Sequence, residues 1–316
     1  MNFPRIFVTR PMPPAVEERL AQMQAEVVIA RQQPGRDGII RSLAEFDVLL
    51  PTITDWLDAG VLAGQERRVR LIANFGAGVE HIDLAAAASA GIAVTNTPDA
   101  LTDATAELTL TLMLMAARRA GEGERLVRAG GWKGWGPTAM LGQGLSGKML
   151  GLVGFGRIAR ATAARARAFG MTIACYSRSA VTGGDVQQFD SLGDLAAVAD
   201  VLSLHVPGGA ATRHLIDAGL LARMKPTAIL VNTARGTVVD EAALAEALQA
   251  RTIAAAGLDV FEAEPAVHPG LLRCKNAVLL PHLGSATIEA RTAMGMQALD
   301  NIDAWLGERD LPNRVA

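Results

Sequence analysis

The sequence predicts an α/β protein made of two doubly wound parallel sheets, and three observations predict it. Short apolar runs of strand length alternate with helical patterns along nearly the whole chain. That alternation marks parallel sheets covered by helices on both faces. From Met149 to Ser179 the chain reads strand, glycine turn, helix and strand, a complete βαβ unit. The length, 316 residues, suffices for two ordinary domains.

The first half justifies one small domain. Residues 6–9 read as a strand, 15–24 as a helix and 27–30 as a strand. Residues 39–45 read as a helix, and 47–50 as a strand that Pro51 closes. Residues 71–74 and 92–95 are further strands. Thr97-Pro98 breaks the pattern and is a candidate hinge. A long helix follows over 101–119, whose apolar residues, including Leu108, Leu112, Met113 and Leu114, keep to no single stripe. Such a helix must be covered on more than one side. Its own domain with the hinge region would do; the reading favours a second subunit. Residues 130–147 are rich in glycine, carry Trp132 and Trp135, and read as an extended arm.

The βαβ unit carries the first functional signal. Residues 149–153 are its first strand, 157–169 its helix, ended by Gly170, and 172–176 its second strand. Gly154 allows the tight turn, Gly156 lets a ligand approach the backbone, and Ala159 lets helix and strand pack closely. Free N–H groups at the positive end of the helix would then meet a pyrophosphate. A purely structural glycine turn is the competing reading. Where an acid would grip the ribose 2′-hydroxyl of NAD, this chain has Ser177-Arg178-Ser179. A carboxylate would repel a 2′-phosphate; an arginine between two hydroxyls would bind one. NADP(H) is therefore expected to be preferred, with NAD(H) possible. The alternative is an ordinary surface arginine in an exposed turn.

Beyond that unit the alternation resumes. Residues 201–205, 228–232, 254–258 and 277–280 read as strands, and 192–199, 217–222 and 240–250 as helices. Leu283-Gly284 is the other candidate hinge, and a last helix over 287–306 returns the chain to the first domain. The expected domains are 1–98 with 285–316 for substrate, and an inserted 99–284 for cofactor, with a cleft between them.

Composition excludes several classes. Half the residues are hydrophobic, a fifth are charged and the net charge is −2. Nucleic acid and anionic membrane surfaces therefore have no electrostatic claim on the chain. Cys175 and Cys274 make neither a disulfide framework nor a metal site. No HExxH, paired cysteines or carboxylate cluster argues for a metal, and none is expected. The N-terminus carries Pro4, Pro11, Pro13 and Pro14 and no long apolar core, so no signal peptide is expected, and the apolar stretch 108–117 is too short to span a bilayer. A cytoplasmic location is expected.

Open α/β sheets place ligands at the carboxyl ends of their strands. Three chemically capable residues follow predicted strands there: Arg235 in NTARG, Glu264 in GLDVFEAEP and His282 in LLPHLGSAT. A guanidinium, a carboxylate and an imidazole suit the reduction of a 2-oxo acid. Arg235 can take the substrate carboxylate as a fork and polarise the carbonyl. His282 can donate the proton as hydride reaches carbon, and Glu264 can orient the imidazole and keep it protonated near pH 7. Position alone leaves open a structural role, because Arg–Glu pairs also brace loops.

The chain resembles the D-isomer-specific 2-hydroxyacid dehydrogenases. The resemblance covers nearly its whole length and rests on ANFGAGVEHIDL, TDATAELTL, LGLVGFGRIA, LHVP, NTARG, AGLDVFEAEP and LPHLGSAT, in that order. It implies a flavodoxin-like substrate domain with a Rossmann cofactor domain inserted into it. It implies that Arg235, Glu264 and His282 are catalytic, and that Ala77, Gly78 and Val79 bind the substrate carboxylate with Arg235 and His282. Successive N–H groups in Gly76-Ala77-Gly78 can form such an anion nest. Around the cofactor it implies Gly154, Phe155, Gly156, Arg157 and Ile158, then Ser177, Arg178 and Ser179. It adds His205, Val206 and Pro207 with Thr212, then Thr233 and Ala234, and finally Thr105, His282 and Gly284. Asp259 is similar to the residue that holds the nicotinamide carboxamide.

Within the family the GWKGW arm, the NFGAGVEHID loop and the SRS strand end look most like glyoxylate/hydroxypyruvate reductases. These favour NADPH and form homodimers in which an arm tryptophan, here matched by Trp135, reaches the partner subunit's site. Two departures stand out: Glu80 where aspartate is usual, and Ala77 where a larger residue is common. His205 reads as structural, His81, His214 and His268 as surface or helix-end residues, and Trp132 as arm packing. An NAD-dependent enzyme for D-lactate, D-3-phosphoglycerate or a larger 2-oxo acid is the alternative. A non-catalytic, dinucleotide-sensing corepressor of the same fold is a third reading.

Overall fold

The computed structural model describes residues 3–63, 67–181 and 185–316. The chain divides into two compact units, Met1–Leu101 with Ala286–Ala316, and Thr102–Ser285. The first begins with β1 (Arg5–Val8), α1 (Pro14–Ala21), β2 (Glu26–Ile29), α2 (Gly35–Glu45) and β3 (Val48–Leu50). It continues with α3 (Ala59–Leu62), β4 (Leu71–Ala73), α4 (Leu84–Ser89) and β5 (Ala93–Thr95). Its five strands are parallel and lie in the order β2-β1-β3-β4-β5.

The second unit opens with α5 (Thr102–Ala117) and α6 (Ala120–Arg128). After the arm come β6 (Met149–Val153), α7 (Arg157–Ala168), β7 (Thr172–Tyr176), β8 (Val186–Phe189), α8 (Leu192–Val198) and β9 (Val201–Leu204). Then follow α9 (Ala218–Arg223), β10 (Ile229–Asn232), α10 (Glu241–Gln249), β11 (Ala255–Leu258), α11 (Pro269–Leu272) and β12 (Ala277–Leu279). The seven strands run parallel in the order β12-β11-β10-β9-β6-β7-β8. The last helix, α12 (Ile288–Leu306), belongs to the first unit. Among the described residues no helix is long and apolar enough to cross a membrane.

Strand periodicity sorts each core into two layers, because successive side chains point to opposite faces. In the first unit Ile6, Val8, Leu50 and Leu71 pack with Val16 and Leu20 of α1 and Leu299 and Ile302 of α12. From the other face, Leu49, Ile72 and Val94 pack with Ile39 and Leu43 of α2 and Val61 of α3. In the second unit Leu150, Leu152, Ile173 and Val231 meet α5 and α7. Val153, Leu202, Leu204 and Leu230 form a second cluster with α8, α9 and α10.

Several helix starts are set by side-chain caps. Asp217, Asp240 and Thr287 each accept the N–H three residues ahead, satisfying a donor that the first turn leaves free. The elements that the periodicity does not predict are α3, α4, α6, α11 and β8. The first, second and fourth are too short to show a period. α6 contains two glycines and buries no side chain. β8 reads VQQF, with no apolar alternation.

α5 finds most of its cover inside its own unit. Leu112 and Met113 are fully buried, and a Cβ on Gly257 of β11 would stand 2.9 Å from Leu112 Cβ. The absent side chain is what lets helix and strand approach. Leu108, Leu114 and Met115 are left half-buried.

Gly295 plays the same part where α12 meets α1, since a Cβ there would lie 2.3 Å from Val16 Cγ2. Gly295→Ala gains about 1 kcal/mol of helix propensity but forces overpacking, which costs about 1–3 kcal/mol. Thermal unfolding should therefore show a lower Tm for the variant; a higher Tm would mean that this contact yields freely.

Candidate active site

The glycine turn lies between β6 and α7. Gly154 has φ +88°, a left-handed conformation that glycine adopts without steric cost. A Cβ there would also meet the His205 carbonyl oxygen at 2.6 Å and Val206 Cγ1 at 3.1 Å. The turn is thus pressed against the loop that follows β9. Gly156 caps α7 without a side-chain hydrogen bond, and a Cβ on it would meet nothing within 4 Å. This combination leaves open space in front of uncapped N–H groups at a helix start, which suits a phosphate. Phe155 lies under the Arg160 guanidinium, 4.6 Å from its ring centroid. Arg157 and Ile158 form the first helical turn, and Ala159 is fully buried behind it. These residues fit a dinucleotide.

Burial pushes the His205 imidazole down to about 4. It is neutral at pH 7, with Nε2 2.9 Å from Ser203 Oγ. Thr212 donates its hydroxyl to the Pro207 carbonyl at 2.7 Å, tightening the same loop.

Beyond β7, Ser177 is half-buried while Arg178 and Ser179 are exposed. The turn they make is held from the side by Gln188 of β8, whose Nε2 donates to the carbonyls of Ser177 (3.0 Å) and Ser179 (3.1 Å).

The acid–base set stands on loops after β10, β11 and β12. Nδ1 of His282 lies 2.8 Å from Glu264 Oε2, and Glu264 Oε1 accepts the Phe261 N–H at 2.9 Å. Burial pushes the Glu264 carboxyl up. The His282 hydrogen bond and charge, the Phe261 N–H and the charge of Arg235 outweigh that and hold it below the usual carboxylate range. The carboxylate orients the imidazole through Nδ1, which leaves Nε2 for proton transfer. Arg235 donates through Nη1 to the Ala234 carbonyl at 2.7 Å. Asn232 fixes its loop by donating to the Arg235 carbonyl (2.9 Å) and accepting the Ala234 N–H (3.0 Å). A Cβ on Gly236 would lie 1.8 Å from the Phe261 carbonyl carbon. Only glycine lets the Arg235 and Glu264 loops run this close.

Asp259 and Thr105 are committed to this scaffold. Both Asp259 carboxylate oxygens accept backbone N–H groups, from Leu283 at 2.7 Å and Gly284 at 2.8 Å. Burial raises the Asp259 carboxyl, and those two bonds oppose the rise. Thr105 donates its hydroxyl to the Gly284 carbonyl at 3.1 Å. Thr109 bridges Thr105 to Thr233, 2.9 Å from the Thr233 hydroxyl.

The first unit carries a separate anion nest after β4. Asn74 donates to the carbonyls of Gly76 (3.1 Å) and Gly78 (2.9 Å), and Asn96 donates to that of Ala77 (2.7 Å). The Val79 carbonyl accepts from the Ile82 N–H. With the carbonyls drawn inward, the N–H groups of Ala77, Gly78 and Val79 have no acceptor among the described residues. Three adjacent free donors can take a carboxylate.

One sequence expectation is corrected here. His81 is not a surface residue; it is buried, with Nε2 3.0 Å from Asn74 Oδ1. It orients the amide that shapes the nest. His214 is half-buried between Glu262 (2.6 Å) and Asp240 (4.0 Å), and His268 caps α11. Sequence reasoning missed Asn74, Asn232 and Gln188, which act through side-chain bonds to loop backbone and leave no periodic trace.

Comparison with known proteins matches this architecture. The NAD binding domain of D-isomer specific 2-hydroxyacid dehydrogenases matches residues 110–284. A glyoxylate reductase of Aeropyrum pernix is 44% identical across 100% of this chain and 96% of its own. One of Thermococcus litoralis is 42% identical across 99% of this chain and 96% of its own. The crystal structure of an NADPH-dependent glyoxylate/hydroxypyruvate reductase of Sinorhizobium meliloti, in complex with NADP and malonate, superposes with a TM-score of 0.89. That structure shares 36% identity and covers 100% of this chain and 97% of its own. On sequence and fold together, the chain belongs to the D-isomer-specific 2-hydroxyacid dehydrogenase family.

Proposed function

We propose that the protein is an NADPH-preferring homodimeric reductase that converts small 2-oxo acids, glyoxylate and hydroxypyruvate, to D-2-hydroxy acids. The observation that carries this reading is the 2.8 Å pairing of His282 with Glu264 on loops of the dinucleotide-binding unit. The glyoxylate reductases to which the chain is similar support the substrate class. In this reading residues 99–284 hold the cofactor, and 1–98 with 285–316 hold the substrate.

The Gly154–Gly156 turn would hold the pyrophosphate of a reduced dinucleotide, whose nicotinamide would supply the hydride. Arg235 binds the substrate carboxylate as a planar fork and polarises the keto oxygen. The N–H groups of Ala77, Gly78 and Val79 share the carboxylate charge. His282 gives its Nε2 proton to the keto oxygen, and Glu264 stabilises the imidazolium before that transfer. Ser177, Arg178 and Ser179 take the 2′-phosphate. Trp135, 86% exposed on the arm, reaches the partner subunit's substrate site. The half-buried Leu108, Leu114 and Met115 of α5 contribute to the subunit contact.

These parts are tested separately. His282→Ala should lower kcat by about two to four powers of ten and leave the Kd for cofactor nearly unchanged; near-normal turnover would remove His282 from proton transfer. Glu264 is depressed in the folded protein, so its ionised form is stabilising above the ordinary carboxylate range and is lost only as pH falls through the lowered value. The pair therefore survives mild acid. In Glu264→Gln the imidazole loses the carboxylate that orients it through Nδ1, so kcat should fall while the Kd for cofactor stays nearly unchanged; an unchanged kcat would detach Glu264 from proton supply.

Cofactor choice is read by the turn after β7. A charged hydrogen bond contributes about 1.5–3 kcal/mol, which corresponds to a preference of about ten- to hundredfold for NADPH. Arg178→Ala should lose NADPH affinity with little change for NADH, and Ser177→Asp should weaken NADPH alone. A wild type that prefers NADH would refute this assignment.

For assembly, light scattering should give twice the monomer mass at micromolar concentration. Trp135→Ala should change the ratio of kcat/KM among 2-oxo acids more than cofactor affinity. A monomer mass, or an unchanged ratio, would return the arm to a packing role.

A further inference from the structure

We propose that Gln188 is a positioning residue for cofactor choice, holding the backbone of residues 177–181 in the shape that presents two N–H groups and the Arg178 side chain to a 2′-phosphate. The proposal rests on the reading that this turn meets that phosphate. β7 ends at Tyr176, so the residues beyond it have no strand ladder to fix them. Gln188 stands on the edge strand β8, in register with Cys175 of β7. From there its side chain reaches past the end of β7. Nε2 donates to the carbonyls of Ser177 (3.0 Å) and Ser179 (3.1 Å), and Oε1 accepts the Val181 N–H (2.9 Å). The orientation of the amide is fixed by its neighbours: two carbonyls need donors and one N–H needs an acceptor.

The peptide geometry gives this clamp a consequence. In a trans peptide the C=O and the following N–H point in opposite directions. Drawing the carbonyls of Ser177 and Ser179 toward Gln188 turns the N–H groups of Arg178 and Ala180 away from it. Neither N–H has an acceptor among the described residues. Two outward N–H groups flanking a guanidinium and two hydroxyls make a cradle for a dianion. The neutral ribose hydroxyl of NADH gains far less from it. The adjacent Gln187 makes no such contact, so the effect belongs to the position and not to a polar strand.

The experiment measures Kd by calorimetry for NADPH and NADH with wild type, Gln188→Met, Gln188→Glu and Arg178→Ala. Met keeps the length and removes the bonds; Glu keeps an acceptor for Val181 but cannot donate to the two carbonyls. Both should weaken NADPH roughly three- to tenfold, the scale of an ordinary hydrogen bond, and change NADH by less than about twofold. If Arg178→Ala loses NADPH while the Gln188 variants keep the wild-type ratio of the two constants, the turn reads the phosphate without Gln188 and the proposal fails alone. If Arg178→Ala also keeps that ratio, the reading of the turn fails and the proposal with it. Variants of Gln188 that do not fold, or that weaken both cofactors equally, would make it a bracing residue and overturn the proposal.

Discussion

The geometry of the acid–base loops depends on one buried carboxylate. Asp259 is 1% exposed at the end of β11. Its N–H donates to the Asn232 carbonyl at the end of β10, and its own carbonyl accepts the His282 N–H after β12. Its side chain takes the next two N–H groups, of Leu283 and Gly284. Three strand ends are thereby tied at one residue. His282 itself has φ +54°, and a non-glycine residue there costs about 1–3 kcal/mol. Two charge-assisted hydrogen bonds from the Leu283 and Gly284 N–H groups to Asp259 hold the backbone immediately after His282. The imidazole is held where it can meet Glu264 because Asp259 holds the backbone beneath it.

The same loops show why glycine recurs beside charged residues. Arg235 and Glu264 follow different strands, and their loops converge because Gly236 lies against the Phe261 backbone with no side chain between. Glu241, almost fully buried, then accepts the N–H groups of Glu262 (2.6 Å) and His268 (3.2 Å), fixing the far side of the Glu264 loop. Charge is placed by backbone contacts and buried carboxylates, not by pairing between the charged side chains alone.

What the sequence revealed follows from what leaves a period. Apolar runs gave the strands of both sheets, because buried parallel strands are nearly continuous in hydrophobic residues. The helix starts read at 217, 240 and 287 coincide with residues that cap α9, α10 and α12 in the structure. The βαβ turn was legible because glycine is required at Gly154 by a positive φ and a carbonyl 2.6 Å away. Edge strand β8 was not legible, since one of its two central glutamines serves the neighbouring turn and neither a core. His81 is buried although Glu80 and Asp83 beside it are polar, and Asn74, one residue past β4, satisfies its imidazole. α5 was read as needing cover on more than one side; β10, β11 and α7 of its own unit supply most of that cover, and Leu108, Leu114 and Met115 stay half-buried.

A division of labour among donors follows. On the proposed reading, the start of α7, the nest at Ala77–Val79 and the turn at Arg178 each offer backbone N–H groups to an anion. Such donors are already fixed by folding, so binding costs none of the side-chain entropy of about 2 kcal/mol that a long cation loses. They also require no excess of Lys and Arg, consistent with a chain of net charge −2. On the proposed reading, cationic side chains are reserved for two discriminations that backbone cannot make. Arg235 separates a carboxylate next to a carbonyl from other anions by its planar fork, and Arg178 separates a phosphate dianion from a hydroxyl by charge. Both work only if the surrounding loop is fixed before the ligand arrives, which is the task of Asn232 for the first and of Gln188 for the second.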